Sequence, residues 1–515
     1  MTGWKIDLTK IHCTTADLLR EACKTSKDRT FFHYVPRRSE ETYGGFQDKV
    51  NRMCNLLESE GGIQRGAKVC IMADNSPELL LTFSAITNMG AIWVPVNSQF
   101  IGESLRYIID VSDASHICVS DEYRDRVAEV LRKIDRPVRI LSIGEMTEQA
   151  AKKSGTYESP ARPDDIVCIA YTSGTTGFPK GVMHTHSSII RTGVRALEVL
   201  ETTSEDRIHI YLPFFHGWAY MIMLGANYFK ATMVIDEKFN PLTYWENMEH
   251  YRITQDHWTG TVPINLMKLP PSDAEQRIKL NVFGTFGALY QSMKERWPNI
   301  RFQSLYGQTE HACATSVPSD DIFPGSDGVP KYPDQILIMN DKGDPLPAGE
   351  VGEIVVRCKC GMRFKEYYKN PEATAEAIRG NDLYTGDLGF LDDRGHLHFS
   401  GRKKDALRVR GEMVSVEHIE HLINAHPLVA ESAIVGYRPP EKERLKEDEV
   451  VAHIVLKDEF KLSALDFHEW CEKNLARFMR PKYVVFRDSL HKTATNRIQR
   501  FKVRDEGIKG ATKLF

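Results

Sequence analysis

The 515-residue sequence has no long apolar run, no regular cysteine framework and almost no net charge, and each absence removes a class of protein. Its most hydrophobic stretch, Leu79 to Val94, is interrupted by Thr82, Ser84, Thr87, Asn88 and Gly90, which is poor material for crossing a bilayer. The opening residues, MTGWKIDLTKIHC, lack the apolar core of a secretory leader. A cytoplasmic protein without a membrane span is therefore expected. Ten cysteines are scattered without the spacing of a disulfide scaffold or a four-cysteine zinc site, so reduced thiols are expected. Cys358 and Cys360 form a lone C-x-C pair in a β-rich stretch, where alternate residues share a sheet face; packed thiols are the plain reading and metal binding the alternative. Lys plus Arg number 67 against 70 for Asp plus Glu, so no broad field draws the molecule to nucleic acid or anionic lipid. Any anionic ligand must be held by a local site. No fixed-period repeat or low-complexity tract supports a solenoid or propeller.

What is present is an alternation of apolar β-rich runs with amphipathic helical patterns, in a chain too long for one compact core. Lys68 to Met72 reads as a strand, Pro77 to Met89 as a helix and Ala91 to Val96 as the next strand. The pattern returns at His116 to Val119, Ile166 to Tyr171, the helical Ser188 to Leu200, and Thr232 to Ile235. The fold class is α/β, with parallel sheets covered by helices. Past residue 330 the texture changes to short strands and tight turns: Gln335 to Met339, DKGDPLPAGE, Gly352 to Arg357 and Gly395 to Ser400. This predicts a β-rich subdomain closing the N-terminal part. After the charged segment GRKKDALRVRG a small α/β domain is predicted, with helices over Val416 to Ala425 and Ala464 to Leu475 and strands near Ser432 to Gly436 and Val450 to Leu456. The expected division is 1–402 and 403–515.

The strongest chemical signal is YTSGTTGFPKG, Tyr171 to Gly181, directly after an apolar strand. Gly174 and Gly177 let backbone N–H groups turn inward, the hydroxyls of Thr172, Ser173, Thr175 and Thr176 add donors, and Lys180 adds charge. The set suits a polyphosphate. It is not a Walker A loop, because Gly181 follows the lysine where Ser or Thr is required.

With these residues the chain resembles the acyl- and aryl-CoA synthetase superfamily of adenylate-forming enzymes. The other signatures stand in the family's order: LPFFHGWAY from Leu212, SLYGQTE from Ser304, LYTGD from Leu383, GRKKD from Gly401 and TATNRIQR from Thr493. The resemblance implies that a carboxylic acid attacks the α-phosphorus of ATP, giving acyl-AMP, and that coenzyme A then takes the acyl group. It implies Lys180 and the loop on the phosphates, Glu310 as the Mg²⁺ ligand, and Thr309 on the α-phosphate. Tyr306 and Gly307 would lie at the adenine, and Asp387 and Arg402 at the ribose hydroxyls. His216 would stand near the acyl carboxylate, with Gly217, Trp218, Trp258, Phe286 and Gly287 shaping the acyl pocket; as residues alone, such aromatics and an apolar-flanked histidine read as core. Lys404 matches a hinge about which the small domain turns, bringing Arg410, Gly411 and Glu412 towards the thiol donor.

Peptide-synthetase adenylation domains, in the same superfamily, place an Asp after the Phe of the matching motif to pair with an ammonium group. Here His216, Gly217, Trp218 and Ala219 offer no carboxylate, which argues against a free α-amino acid. EYYKNPEATAEAI, GRKKDALRVRGE, EDEVVAHIVL and WCEKNLARFMRPKYVVF resemble crotonobetaine/carnitine-CoA ligases, and a quaternary ammonium could meet Trp218, Tyr220 or Trp258 by cation–π attraction. One departure stands out: where the family reads T-x-T-G-K, this chain has Asn496 and Arg497. Arginine keeps the charge but is planar and bulkier than an ammonium. Two other readings stay open: adenylation with a carrier-protein thiol or amine as acceptor, and a non-catalytic nucleotide-binding homologue.

Overall fold

The computed structural model describes residues 6–172, 179–259, 261–284, 289–317, 325–330, 333–403, 407–409, 412–414, 416–439, 448–457, 461–475, 477, 479–492 and 498–515. Contacts divide the chain into two compact units. The first holds residues up to 172, 179–336 and 356–383; the second holds 337–355 and 384 onward. Residues 337–355 and 384–402, which precede the expected division, thus cluster with the C-terminal part.

Two sheets organise the first unit. One has six strands in the order Arg139–Ser142, His116–Val119, Lys68–Met72, Ile92–Pro95, Ile166–Tyr171 and Gly181–Thr185. All neighbours are parallel except the last pair. The other has nine strands: Val329–Pro330, His311–Val317, Ile300–Gln308, Leu280–Gly284, Gln255–Trp258, Arg207–Ile210, Thr232–Ile235, Thr30–Tyr34 and Ser39–Thr42. Its middle is parallel and both edges are antiparallel. Strands such as Val69 to Met72 and Ile117 to Val119 are buried throughout, which is why they read as continuous apolar runs.

Local chemistry starts the helices between strands. Ser76 caps Pro77–Asn88 by accepting from the Leu79 N–H at 3.2 Å, with proline at the first helical position, where no N–H is needed. Thr185 caps His186–Glu198 in a reciprocal box with Ser188, so that helix starts two residues before the predicted Ser188. It crosses Gly217–Phe229 where glycines meet: a Cβ on Gly193 would lie 2.1 Å from the Met221 carbonyl oxygen, and one on Gly225 2.4 Å from that of Gly193. Only hydrogen at both positions permits this approach. Phe83, Trp93 and Tyr220 fill the core nearby, the Trp93 and Tyr220 rings edge-on at 4.6 Å.

The second unit contains a four-stranded sheet in the order Val429–Tyr437, Glu449–Leu456, Tyr483–Arg487 and Thr512–Lys513. The helices Val416–Asn424 and Ala464–Asn474 place Ile419, Ile423, Phe467 and Cys471 in its core. Within the same unit Leu397–Arg402 runs antiparallel to residues 387–391. The predicted strand Gly395 to Ser400 is displaced by two residues, because Gly395 sits at φ +80° in the turn, with its N–H on the Asp392 carbonyl. Among the described residues no helix is long and apolar enough to cross a membrane.

Candidate active site

Three segments far apart in sequence meet around Glu310. The first is the hairpin joining Ile300–Gln308 to His311–Val317: Gln308 pairs with His311, leaving Thr309 and Glu310 as its two turn residues. Both sit at the C-terminal end of a parallel strand in an α/β sheet, where such folds place ligands. His184 steadies the turn, its Nε2 donating to the Thr309 carbonyl at 2.9 Å. Burial holds the His184 imidazole down at about 4, so near pH 7 it is neutral and the Nε2–H tautomer is the one that fits.

The second segment carries Lys180. Ile166–Tyr171 and Gly181–Thr185 pair antiparallel, Tyr171 opposite Gly181, and the Thr172 N–H closes the loop on the Lys180 carbonyl at 3.1 Å. A Cβ on Gly181 would lie 2.8 Å from the Ile169 side chain and 3.1 Å from the Tyr171 ring. The glycine after the lysine is therefore a packing requirement.

Residues 364–368 form the third. The Met183 N–H bonds the Glu366 carbonyl, the Lys365 N–H bonds that of Met183, and the Tyr368 N–H bonds that of Gly181. The Phe364 N–H reaches the Glu310 carbonyl at 2.8 Å. Tyr367 is thereby fixed between the other two: its hydroxyl donates to Glu310 Oε1 at 2.7 Å, and the Lys180 ammonium lies 5.0 Å from its ring centroid, within cation–π range. Glu310 is only 8% exposed, whereas Lys180 is exposed to solvent. A buried, oriented carboxylate and an exposed ammonium, 130 residues apart in sequence, share one tyrosine. With one oxygen of Glu310 held by Tyr367, the carboxylate is a hard oxygen donor of the kind Mg²⁺ takes alongside phosphate oxygens and water, so these residues fit that ion.

Other expected residues are placed as follows. Tyr306 is buried, its N–H on the Thr315 hydroxyl at 3.0 Å, while Gly307 is exposed. In the second unit, Asp387 and Arg402 are register partners joined by an ion pair of 2.8 Å, with the carboxylate almost wholly buried. His216 is exposed and caps the helix Gly217–Phe229, its N–H on the Pro213 carbonyl at 2.8 Å. Trp218, half-buried two residues on, donates from Nε1 to His257 Nδ1 at 3.2 Å and stacks on Phe283 at 5.6 Å. Burial holds His257 down at about 4, which keeps it a neutral acceptor. Trp258 and Tyr220 both lie in cores: Trp258 donates to Tyr244 and Asp256 and packs edge-on against Trp297 at 5.2 Å.

Ser173, Gly174, Thr175, Thr176, Gly177, Phe286, Gly287, Lys404, Arg410, Gly411 and Arg497 lie outside the described residues. Glu412 is described in its backbone alone, in a hairpin with Leu407–Val409. Sequence reasoning missed Tyr367, His184 and His257. Tyr367 stands inside EYYKNPEATAEAI, read there only for its overall likeness; a tyrosine beside a turn-rich segment carries no catalytic pattern of its own. The two histidines lie on short strands, GVMHT and QDHW, that carry no recognisable catalytic pattern.

A family model described as AMP-binding enzyme matches residues 19–368, and one described as AMP-binding enzyme C-terminal domain matches 418–497. Crotonobetaine/carnitine–CoA ligase of Salmonella paratyphi B is 30% identical over 482 residues, covering 89% of this chain and 92% of that protein. Among solved structures, ATP-bound MatB from Rhodopseudomonas palustris superposes with a TM-score of 0.82 at 26% identity, covering 95% of this chain and 98% of that one. The anthranilate CoA ligase AuaEII in complex with anthranoyl-AMP does so with 0.84 at 25%, covering 96% and 97%.

Proposed function

Because this chain belongs to the AMP-binding enzyme family, we propose that it is an AMP-forming acid–CoA ligase. It would join a small carboxylic acid to ATP as acyl-AMP with release of pyrophosphate, then pass the acyl group to the thiol of coenzyme A. The observation that carries this reading is the Lys180–Tyr367–Glu310 arrangement. Attack on the α-phosphorus places negative charge on the departing pyrophosphate and on the equatorial oxygens. Lys180, exposed but held over Tyr367, supplies a positive charge where the leaving group would sit. The Tyr367 hydroxyl keeps the Glu310 carboxylate in one orientation before substrate arrives, so no reorganisation is needed during the reaction. When bound, Mg²⁺ would neutralise phosphate charge beside Glu310. Thr309, whose carbonyl is pinned by His184, would donate from its hydroxyl to the α-phosphate. For Asp387 and Arg402 we propose the ribose contacts.

The acid would enter beside His216 and Gly217, with Trp218 forming one wall. Trp218 is anchored by His257 and Phe283, which favours a flat or compact acyl group over a flexible chain. Tyr220 and Trp258, enclosed in cores, are poor candidates for meeting a quaternary ammonium; Trp218 is the available ring. A non-catalytic homologue would have no use for a preorganised carboxylate and a separate exposed lysine, and their retention favours catalysis.

The test is acid-dependent release of pyrophosphate from ATP and Mg²⁺ across short, branched, aromatic and betaine acids, each with and without coenzyme A. A thioester formed with at least one acid, together with AMP, is the expected result. Pyrophosphate release with no thioester would transfer the reading to a carrier-protein thiol or amine acceptor. ATP binding without turnover across the panel would sink the enzyme reading.

A further inference from the structure

Immediately after Glu310 the chain builds a second cluster that the proposed reaction does not use. His311, Asp334 and Cys360 are all buried, and one donor atom from each lies within 4.8 Å of the others. His311 Nε2 is 3.0 Å from Asp334 Oδ2, and Cys360 Sγ is 2.9 Å from the same oxygen. Cys358, also buried, lies outside this group and donates its thiol to the Val356 carbonyl at 3.4 Å. The Lys359 and Cys360 N–H groups hold Asp334 through its other oxygen, Oδ1, at 2.5 and 3.0 Å. Among the described residues, the second ring nitrogen of His311, Nδ1, is buried without a hydrogen-bond partner.

We propose that His311, Asp334 and Cys360 form a three-ligand binding site for a soft divalent cation of the zinc type. An imidazole, a carboxylate and a sulfur make a donor set such an ion selects, and a hard ion such as Mg²⁺ avoids sulfur. Ligands at about 2.0–2.3 Å around a tetrahedral ion stand roughly 3.4–3.8 Å from one another, so donors converging within 4.8 Å need only a small outward movement to admit one. The two backbone N–H groups on Oδ1 supply the outer hydrogen bonds that orient a ligating carboxylate and leave Oδ2 facing the centre.

The position gives the ion a purpose. His311 is bonded through the backbone to Glu310, and Cys360 starts the segment in which the Phe364 N–H and the Tyr367 hydroxyl both hold Glu310. A cation joining His311 to Cys360 would clamp the two strands of chain that orient the proposed catalytic carboxylate. Its role is structural, and its presence does not depend on which acid is used or on whether the adenylation reading holds.

The experiment measures metal in the intact protein, without substrate. Protein expressed with added zinc and passed through a weak chelator is analysed for metal content, and zinc-stripped protein is titrated with Co²⁺. The expected result is one zinc per chain and a thiolate-to-cobalt absorption band, both lost in Cys360→Ser and both kept in Cys23→Ser, which lies on the first helix away from the cluster. Should Cys360→Ser fail to fold, Asp334→Asn is read: it should weaken cobalt binding at least tenfold, and unchanged binding would overturn the proposal. Wild-type protein that retains only traces of zinc and gives no thiolate band would overturn the proposal and leave a metal-free hydrogen-bonded cluster.

Discussion

At the scale of single residues, the proposed chemistry turns on groups whose charge is set by what holds them. Replacing Glu310 by Gln keeps the shape and the bond from Tyr367 but removes the charge; acid-dependent pyrophosphate release should fall by about 10²–10³, the usual effect of losing a transition-state stabiliser. Tyr367→Phe leaves the ring beneath Lys180 and deletes only the hydroxyl on Glu310. A hydrogen bond to a charged group is worth about 1.5–3 kcal/mol, so a drop in turnover of roughly tenfold or more is expected, together with a lowered melting temperature because the buried carboxylate loses a partner. Turnover equal to that of the wild type would remove Tyr367 from the site. Lys180 and Glu310 were legible in the sequence because their surrounding strings are distinctive. Tyr367 was not, since what brings it to Glu310 is the pairing of residues 365–368 with Gly181–Thr185, a contact between segments about 180 residues apart.

At the scale of elements, buried parallel strands announced themselves as apolar runs, and Lys68–Met72, His116–Val119, Ile166–Tyr171 and Thr232–Ile235 stand where the pattern put them. Gly181–Thr185 was missed: GVMHT is short, mixed and directly abuts a helix cap, so no periodicity could develop. Its existence depends on having Ile166–Tyr171 to pair with. The crossing of His186–Glu198 with Gly217–Phe229 supplies a prediction of its own. Gly193→Ala places a methyl group on the backbone carbonyl of Met221, and overpacking of this kind costs about 1–3 kcal/mol. Thermal unfolding should shift down by several degrees, and an unchanged midpoint would mean that the helices separate freely. Because Gly217–Phe229 begins at His216 and carries Trp218, the same variant should also raise the KM for the acid.

At the scale of the whole molecule, buried histidines set opposite limits on the pH range of stability. His184, His186, His257 and His453 are each held down at about 4 by burial. The unfolded chain then binds more protons than the folded one between about 6.5 and 4, and stability falls as the pH drops through that window. His209 is the reverse case. Burial opposes its charge, but the flanking carboxylates of Asp256 and Asp236 outweigh this and raise it to about 9. Its contribution is complete below about 6.5 and is lost as pH rises towards 9. A melting-temperature profile should therefore peak close to neutrality, and His209→Gln should flatten the alkaline limb while lowering the whole curve; an alkaline limb identical to the wild type would refute the assignment. What the sequence determined by itself was the family and the α/β class, because these rest on short contiguous strings and on the period of buried strands. Tertiary structure alone decided which side chains act together. The Glu310 turn, the Lys180 hairpin and the 364–368 segment become a site only where long-range backbone pairing aligns them, as do the donors at His311, Asp334 and Cys360. Hydrogen bonding between segments distant in the chain leaves no periodic trace in the sequence, since each partner's local pattern is satisfied without the other.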